Sequence, residues 1–268
     1  MSSSHCEVIV PVEFYTEFQR LAPRFHNYRQ HDSVEFINIF LDILHEDLIQ
    51  ILQDKHTIVS KNFHGQIRTT VTCQKCNQDL TIDNSFSFLP LPVPDENKNT
   101  EFSRTYGYKL DHCFQNFFQI EDIGNHGQWY CQHCDKLRHA KKKIYLLELP
   151  PVLILQLKRF NNDLRSFSKI DTLIEYDLDD LDLNTYVVPS RQDKSIRYKL
   201  TAVSNHWGRF IDGGHFVTYA KLPTTQDWYK YNDDRVGKMD KSIHVNNYSA
   251  YTLVYQQEKK DLIIDTAV

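Results

Sequence analysis

The sequence contains no apolar run of the roughly 20 residues that a transmembrane helix needs. Its start, Met1 to Val10, lacks the charged beginning and apolar stretch of a signal peptide. The 31 basic and 35 acidic side chains form no long block of either sign and give a formal charge of -4. Nucleic acid is therefore not expected as a partner, nor is a membrane. We expect an intracellular protein of the cytoplasm, the nucleus or both.

The chain also lacks an internal repeat and a linker that clearly separates two domains. At 268 residues, with 41% hydrophobic and 13% aromatic side chains, it is long enough to bury a full core. We therefore expect a packed globular protein rather than a disordered one.

Helical periodicity is present in the first fifth of the sequence. Asp32 precedes a run with apolar residues at 37, 41, 44 and 48, which predicts a helix with a wide buried face. Asp32 is a suitable N-cap, and Glu35 stands three residues later, where it would complete a capping box. A shorter helical pattern over residues 13–21 is closed by Pro23.

Strand patterns dominate after Gly65. Residues 66–72 alternate as in a half-buried strand, whereas 152–157 are almost all apolar, which predicts a central strand. Further strands are predicted at 144–149, 198–203, 215–220, 228–231 and 250–255, and a further helix at 109–119. Pro90, Pro92 and Pro94, together with the polar run 95–100, predict a connection between elements, and the acidic segment 177–183 predicts a surface excursion.

Four of the six cysteines form two Cys-x-x-Cys pairs, Cys73 with Cys76 and Cys131 with Cys134. Two such pairs supply the tetrahedral four-sulfur shell that zinc favours, so we predict a zinc site. Four protein ligands leave the ion no open position, which makes the zinc structural rather than catalytic. The alternative is that one pair is only buried or redox active. A redox pair is expected at a helix start, whereas each pair here follows a strand-like run.

Six motifs, in order along the chain, resemble those of the ubiquitin-specific proteases. Segment 28–36, Tyr-Arg-Gln-His-Asp-Ser-Val-Glu-Phe, is similar to the family's Gln-Gln-Asp-x-x-Glu-Phe helix start, and Phe63-His64-Gly65 is similar to its strand before the zinc knuckle. Segment 150–160 resembles its central strand, 206–215 its histidine box, 228–234 the segment of its third catalytic residue, and 249–251 its last strand. The resemblance extends from about residue 8 to residue 255.

This resemblance implies an α+β, papain-like cysteine peptidase fold with a thumb, a palm and zinc-ribbon fingers that hold the globular body of ubiquitin. The domain would cover residues 1–258, with the thumb helices in 1–62, the fingers in 63–145 and the palm in 146–258. Residues 259–268 would form a tail, and the N-terminal part of the thumb would be missing. Ubiquitin or ubiquitinated proteins are the implied partners, and the bond after ubiquitin's C-terminal glycine is the implied substrate.

The resemblance also implies roles for single residues. His215 would be the general base, Asn232 would orient its ring, and Asp233 would support the neighbouring water or oxyanion region. Asp32 and Glu35 would face the basic tail of ubiquitin, where a carboxylate binds arginine. An alternative is that Glu35 only caps its helix and that His215 is an ordinary strand histidine.

Further substrate contacts are implied around the histidine box and the helix start. Gly213 and Gly214 would let an extended Gly-Gly tail pass close to the backbone. Gln30 would bind the substrate, and so would His206, for which a purely structural role is the alternative.

The family's nucleophile belongs to an Asn-x-x-Asn-Thr-Cys box upstream of the Gln-Gln-Asp motif, and this box is not found in the sequence. Cys6 is the single cysteine before Gln30, and neither an Asn-Thr approach nor a helical pattern accompanies it. An activated thiolate is expected at a helix start beside its base. Cys113 lies on the apolar face of the predicted helix 109–119 and is expected in the core.

Two explanations follow. Either the chain is the part of an active protease that lies after its Cys box, or it is a pseudo-protease that binds ubiquitin without cleaving it. The first is favoured, because a pure binder has no chemical need of a base. It would also leave part of the apolar face at 37, 41 and 44 exposed. A third alternative, a zinc-ribbon nucleic-acid binder, would rely on Lys136, Arg138 and Lys141 to Lys143 and conflicts with the acidic overall balance.

Overall fold

The structure, a computed structural model, describes residues 10–26, 29–94, 107–124, 129–160, 169–193, 196–210, 213–239 and 248–258. Cys6 and the predicted tail 259–268 therefore lie outside the described residues. Four α-helices are present in the described part: α1 Val12–Leu21, α2 Ser33–Leu52, α3 Ile58–Phe63 and α4 Leu110–Phe118. No helix in this part of the chain is both long and apolar enough to span a membrane.

Fifteen strands accompany these helices within the described ranges. They are β1 Gly65–Cys73, β2 Asp79–Phe86, β3 Leu89–Pro92, β4 Tyr108–Lys109, β5 Glu121–Asp122, β6 Trp129–Cys131, β7 Lys136–Arg138, β8 Ala140–Glu148, β9 Val152–Lys158, β10 Ile174–Glu175, β11 Tyr198–Phe210, β12 Gly213–Lys221, β13 Trp228–Asn232, β14 Arg235–Lys238 and β15 Ala250–Gln257. The α+β class predicted from the sequence is confirmed.

The strands form two larger sheets. A seven-stranded sheet has the order β14-β13-β12-β11-β15-β9-β3, and a four-stranded sheet has the order β2-β1-β8-β5. Neighbours in both sheets are antiparallel, except that β3 runs parallel to β9. The strands β6 and β7 form a separate hairpin, and β4 pairs with β10.

The strand β9 is buried on both faces, as its apolar sequence predicts. Leu153, Leu155 and Leu157 are fully buried in the main core, together with apolar side chains of α4. On the opposite face Ile154 packs with Leu41 of α2 and Val59 of α3. The sheet is thus covered by α4 on one side and by α2 and α3 on the other. Because β15 and β3 flank it, β9 is an inner strand rather than the middle strand.

The first part of the predicted connection, at Pro90 and Pro92, is instead the edge strand β3, Leu89–Pro92, whereas its polar run 95–100 lies outside the described residues. Leu89 and Leu91 are buried, and the two prolines alternate with them. Proline lacks an N–H group, so it fits an edge strand, where one side of the backbone has no strand partner. Pro94 follows the strand, and its carbonyl accepts a hydrogen bond from Thr172 Oγ1 at 3.0 Å.

The predicted N-cap of α2 is confirmed, whereas the capping box is not formed. Asp32 Oδ1 accepts a hydrogen bond from the backbone N–H of Val34 at 2.8 Å. The Glu35 carboxylate instead forms an ion pair with Arg24, which is contributed by the segment before the helix. Sequence periodicity could not predict that Arg24 would bind Glu35 in place of the helix N-terminus, because the guanidinium reaches Glu35 only after the chain has turned between α1 and α2.

The exposed apolar face differs from the predicted one. Leu41 is buried and only Leu44 of the expected set is exposed, at 36%. Other apolar side chains are exposed on the described helices, among them Val12, Phe14 and Tyr15 on α1 and Ile51 at the end of α2. The acidic segment 177–183 does not lie wholly at the surface as predicted, because the side chains of Leu181 and Leu183 are buried.

Candidate functional site

The four paired cysteines converge on one point. Cys73 and Cys131 end the strands β1 and β6, and each is followed by a turn that brings back the second cysteine of its pair. Asn77 and Asp135 adopt the left-handed conformation, with φ of 58° and 51°, which closes the two knuckles. Asn and Asp tolerate this conformation better than most other residues.

The sulfur geometry fits a tetrahedral metal. All four Sγ atoms lie within 4.8 Å of one another, and the Sγ atoms of Cys76 and Cys131 are 3.7 Å apart. A tetrahedral ion with metal–sulfur bonds of about 2.3 Å would place its sulfurs about 3.8 Å apart. Hydrogen bonds from the backbone N–H of Cys76 and of Lys75 lower the pKa of Cys73 to about 6, although burial opposes this. The pKa of the neighbouring Cys76 thiol is raised instead, so a metal ion would have to displace the proton of that thiol on binding.

The predicted base and its orienting residue are in contact. His215, on β12, places Nε2 at 2.6 Å from Oδ1 of Asn232, the last residue of β13. Since Oδ1 can only accept, the ring proton lies on Nε2 and the lone pair of Nδ1 is left to accept a proton. The His215 side chain is 47% exposed, so this nitrogen can be reached from solvent.

Asp233 lies farther from the ring than Asn232 does. Its Oδ2 is 3.8 Å from His215 Nε2, beyond hydrogen-bond distance, and its side chain is 77% exposed. Asp233 occupies the turn between β13 and β14 with φ of 51°. It can therefore act on the imidazole through space, while the amide of Asn232 makes the direct contact.

Gln30 connects the segment before α2 to the hairpin of β11 and β12, which carries His206 and His215. Its Oε1 accepts a hydrogen bond from the backbone N–H of Gly214 at 2.5 Å. A Cβ atom on Gly214 would lie 2.5 Å from the carbonyl oxygen of Trp207 and 2.6 Å from His206 Nε2, so only glycine fits there. Gly213 has no such restriction, because the nearest atom to its Cβ position is 4.0 Å away.

His206 is fully buried rather than exposed to a substrate. Its ring packs against Phe160, Phe216 and Tyr251 at centroid distances of 5.3, 4.7 and 6.3 Å. Burial lowers the pKa of His206, and Lys169 lowers it further, whereas Asp32 raises it. Neither ring nitrogen has a hydrogen-bond partner among the described residues. Its predicted contact with the substrate stays a prediction.

Asp32 is the centre of a small hydrogen-bond network that the sequence did not reveal. Its Oδ2 accepts hydrogen bonds from Tyr251 Oη at 2.6 Å and from Gln156 Nε2 at 3.4 Å. Gln156 Nε2 also donates to Tyr251 Oη at 2.7 Å. Tyr251 lies 219 residues after Asp32 in sequence, so no local pattern could have identified the contact.

Replacing Asp32 with alanine is expected to lower the free energy of unfolding by about 2 to 4 kcal/mol. The substitution removes the N-cap of α2 and leaves Tyr251 Oη and Gln156 Nε2 without their acceptor. Urea denaturation followed by circular dichroism measures the change. Asp47→Ala, at an exposed position of the same helix, is the matched control and should change the stability by less than about 0.5 kcal/mol. Equal effects of the two substitutions would refute the network.

A cavity of about 540 Å³ brings three of the predicted substrate-binding residues together. Gln30, Asp32 and Glu35 line it, with Arg24 and Gln156 beside them. One of the lining residues, Gln30, also contacts Gly214, the neighbour of His215.

None of the five described cysteines is placed as a nucleophile for His215. Four belong to the metal cluster, and the fifth, Cys113, is fully buried among apolar side chains of α4 and the main sheet. Burial raises the pKa of Cys113 to about 12, so it stays a neutral thiol at physiological pH. The core position predicted for Cys113 is thereby confirmed.

The chain matches known proteins over most of its length. The family model for ubiquitin carboxyl-terminal hydrolases matches residues 1–255. Ubiquitin carboxyl-terminal hydrolase 2 of Gallus gallus is 31% identical over 283 residues, which cover 95% of this chain and 76% of that protein. The Homo sapiens protein of the same description is 30% identical over 285 residues, covering 95% of this chain and 45% of that protein.

A solved structure shows the same fold. A chain of the SAGA DUB module Ubp8/Sgf11/Sus1/Sgf73 bound to monoubiquitin superposes with a TM-score of 0.77 at 25% identity, over 93% of this chain and 53% of that one. The present chain thus spans less than half of the human relative and about half of the solved chain. The fold, the four-cysteine cluster and the family match agree, and the chain belongs to the ubiquitin carboxyl-terminal hydrolase family.

Proposed function

We propose that the chain is part of a deubiquitinase that cleaves the bond after the C-terminal glycine of ubiquitin. The observation that carries the proposal is the 2.6 Å contact between His215 Nε2 and Asn232 Oδ1, in a fold shared with ubiquitin hydrolases. Ubiquitin or a ubiquitinated protein is the proposed partner.

In the proposed reaction, His215 Nδ1 removes the proton of a cysteine thiol, and the thiolate attacks the glycine carbonyl carbon. Asn232 holds the ring so that Nε2 keeps its proton and Nδ1 stays available. The imidazolium then protonates the leaving amine as the thioester forms. A water molecule, deprotonated by the same nitrogen, hydrolyses the thioester and restores the thiol. Asp233, close to the imidazole but exposed, would support the neighbouring water or oxyanion region.

The cavity beside α2 is the proposed site of the ubiquitin tail. Glu35 pairs with Arg24 at a position where its side chain is 38% exposed, so an arginine of the basic tail could replace Arg24. The carboxylate oxygens of Asp32 already accept hydrogen bonds from Val34, Tyr251 and Gln156. Asp32 is therefore better suited to supporting the cavity wall than to contacting the ubiquitin tail directly. Gln30 and Gly214 would form the wall that the terminal glycines pass.

We also propose that the ion of the four-cysteine cluster is zinc and that its role is structural. Four thiolates complete the shell, and the ion would tie the end of β1 to the β6–β7 hairpin. The residues bound to it would take no part in the reaction.

The nucleophile is proposed to be a cysteine outside these 268 residues, because the five described cysteines are placed elsewhere and Cys6 lacks an Asn-Thr approach. A second candidate function, ubiquitin binding without cleavage, is favoured by the positions of these five residues. The two functions share the ubiquitin-binding surface and differ only in whether a thiol reaches His215.

Hydrolysis of ubiquitin with a C-terminal fluorophore separates the two functions. The 268-residue chain is expected to show no turnover, whereas the same chain extended upstream by its natural sequence is expected to cleave the probe. In the extended chain, His215→Ala should lower kcat at least about 100-fold, because the general base is lost. Asn232→Ala should have a smaller effect, since the imidazole remains.

Other outcomes assign the second function or reject both. Binding of ubiquitin without turnover by either chain would support the binder. If neither chain bound ubiquitin in titration calorimetry, both functions would be wrong. Turnover by the 268-residue chain that is lost in a Cys113→Ser variant would contradict the assignment of the nucleophile.

A further inference from the structure

A second cavity, of about 670 Å³, lies between α2, α3 and the connection from β8 to β9, and its lining is strongly basic. Five basic side chains contribute to it: His45, Lys55, His56, Lys61 and His64. Glu148 is the one acidic side chain among the described lining residues, and its carboxylate is already paired with Arg191 at 2.8 Å. Two of the five are lysines and three are histidines, so the lining combines two fixed positive charges with three imidazoles.

Two of the histidines are fixed in position. His45 Nδ1 lies 2.7 Å from Oγ1 of the buried Thr57, which also accepts the backbone N–H of Ser60 at 3.3 Å. The Thr57 hydroxyl can donate to Nδ1 or accept a proton from it, so the contact holds the ring in either arrangement. The rings of His45 and His64 meet edge to face, with their centroids 4.9 Å apart.

The net effect of its surroundings is to lower the pKa of His64. Burial lowers the pKa of His64, and the adjacent His45 lowers it further, while Asp42 of α2 raises it. Asp42 is itself held by Asn38 Nδ2 at 3.0 Å. The other ionisable groups at the cavity are Lys55, His56, Lys61 and Glu148. An anion in the cavity would favour the imidazolium form, so its binding should be coupled to proton uptake.

We propose that this cavity binds a small soluble compound that carries two or more phosphate groups. Its volume lies within the range of about 300 to 1,000 Å³ that is usual for small-molecule sites. Lysine and protonated histidine side chains form charge-assisted hydrogen bonds to phosphate oxygens, and the two lysines and three histidines together offer more donors than a single phosphate would engage. Ser60, Gln66 and Ser85 add uncharged hydrogen-bonding groups to the lining.

An occupant would connect three parts of the fold. The cavity is lined by α2, by α3 with the loop before it, and by Leu149 to Pro151 between the two sheets. A ligand that binds only the folded state raises its stability by mass action, so occupancy should raise the temperature of unfolding. This site is separate from the proposed cleavage site, and its test does not depend on hydrolase activity.

Titration calorimetry on the metal-loaded 268-residue chain tests the proposal. The probes are inositol hexakisphosphate, ATP and inorganic phosphate, each at pH 6.5 and pH 8. We expect at least one of the two polyphosphates to bind with a stoichiometry of one, and to bind more tightly at pH 6.5. Inorganic phosphate should bind at least about tenfold more weakly, because it engages fewer of the charges.

Substitutions locate the site. Lys55→Ala and His64→Gln should each weaken polyphosphate binding at least about fivefold, through the loss of a charged partner. Lys158→Ala, an exposed lysine outside this cavity, should leave the affinity unchanged. Since Lys55 is exposed, its variant is expected to fold even if His64→Gln does not. Metal content is measured after each titration, because polyphosphates also chelate metal ions.

The proposal is overturned if neither polyphosphate produces heat or shifts the unfolding temperature. It is equally overturned if Lys55→Ala, His64→Gln and Lys158→Ala bind with the same affinity as the unsubstituted chain. Binding of inositol hexakisphosphate alone would identify a compact polyphosphate as the ligand class, whereas tighter binding of ATP would identify a nucleotide. Either result supports the site.

Discussion

Removal of the metal from the four-cysteine cluster is expected to unfold both knuckles and the strand ends that carry them. The described side chains around the cluster include few buried apolar groups besides the cysteines and Ala140, so little else holds β1, β6 and β7 together there. Structural zinc sites supply apparent free energies of about 10 to 16 kcal/mol in small zinc-dependent domains. Cys131→Ser should therefore lower the zinc content from one ion per chain to about zero.

Elemental analysis and limited proteolysis measure this effect. The metal-free chain should be cleaved within residues 73–140 much faster than the metal-loaded chain, while the core around β9 stays protected. His133→Ala is the matched control, because His133 is an exposed residue between the two cysteines of its pair. It should keep one zinc ion. Full zinc content in Cys131→Ser, or loss of zinc in His133→Ala, would contradict a four-sulfur site.

Replacing Arg159 with methionine is expected to lower the free energy of unfolding by about 3 to 5 kcal/mol. Arg159 is fully buried, and its guanidinium donates to three backbone carbonyls: Ala250 at 2.6 Å, Ile170 at 2.9 Å and Thr172 at 2.7 Å. Methionine fills a similar volume but leaves all three carbonyl oxygens buried without a donor. Burial lowers the pKa of Arg159 to about 10, so the side chain stays charged at neutral pH.

Urea denaturation of the metal-loaded chain measures the loss. Arg159→Lys should recover part of the stability, because one ammonium group can reach some of the carbonyls but lacks the planar fork. Lys158→Ala, the exposed neighbour on β9, is the matched control and should change the stability by less than about 0.5 kcal/mol. If Arg159→Met were as stable as Lys158→Ala, the guanidinium would not be what joins β15 to the segment around Ile170.

Local patterns in the sequence were sufficient to predict the elements whose structure depends mainly on neighbouring residues. The spacing of apolar residues predicted α2, the Cys-x-x-Cys pairs predicted that the four cysteines converge, and the apolar run predicted β9. The proline-containing strand β3 was missed because its pairing with β9 depends on residues more than 60 positions away. Its buried Leu89 and Leu91 alternate with the prolines, which was the available signal.

The parts of the site that could not be predicted are contacts between distant segments. Gln156 and Tyr251 reach Asp32 from two strands, and Arg24 takes Glu35 away from the helix start. Arg159 was visible only as part of a motif. It continues the alternation of Leu153, Leu155 and Leu157, however, and this parity places it on the buried face. The pairing of His215 with Asn232 was anticipated through the family resemblance rather than from their spacing.

The most direct test is native mass spectrometry of the metal-loaded chain mixed with ubiquitin that carries a C-terminal electrophile reactive toward thiols. We expect a one-to-one complex that dissociates when the protein is denatured, with no covalent adduct at any of the six cysteines of the chain. A stable adduct at any of them, Cys6 included, would contradict the account, and so would the absence of a complex.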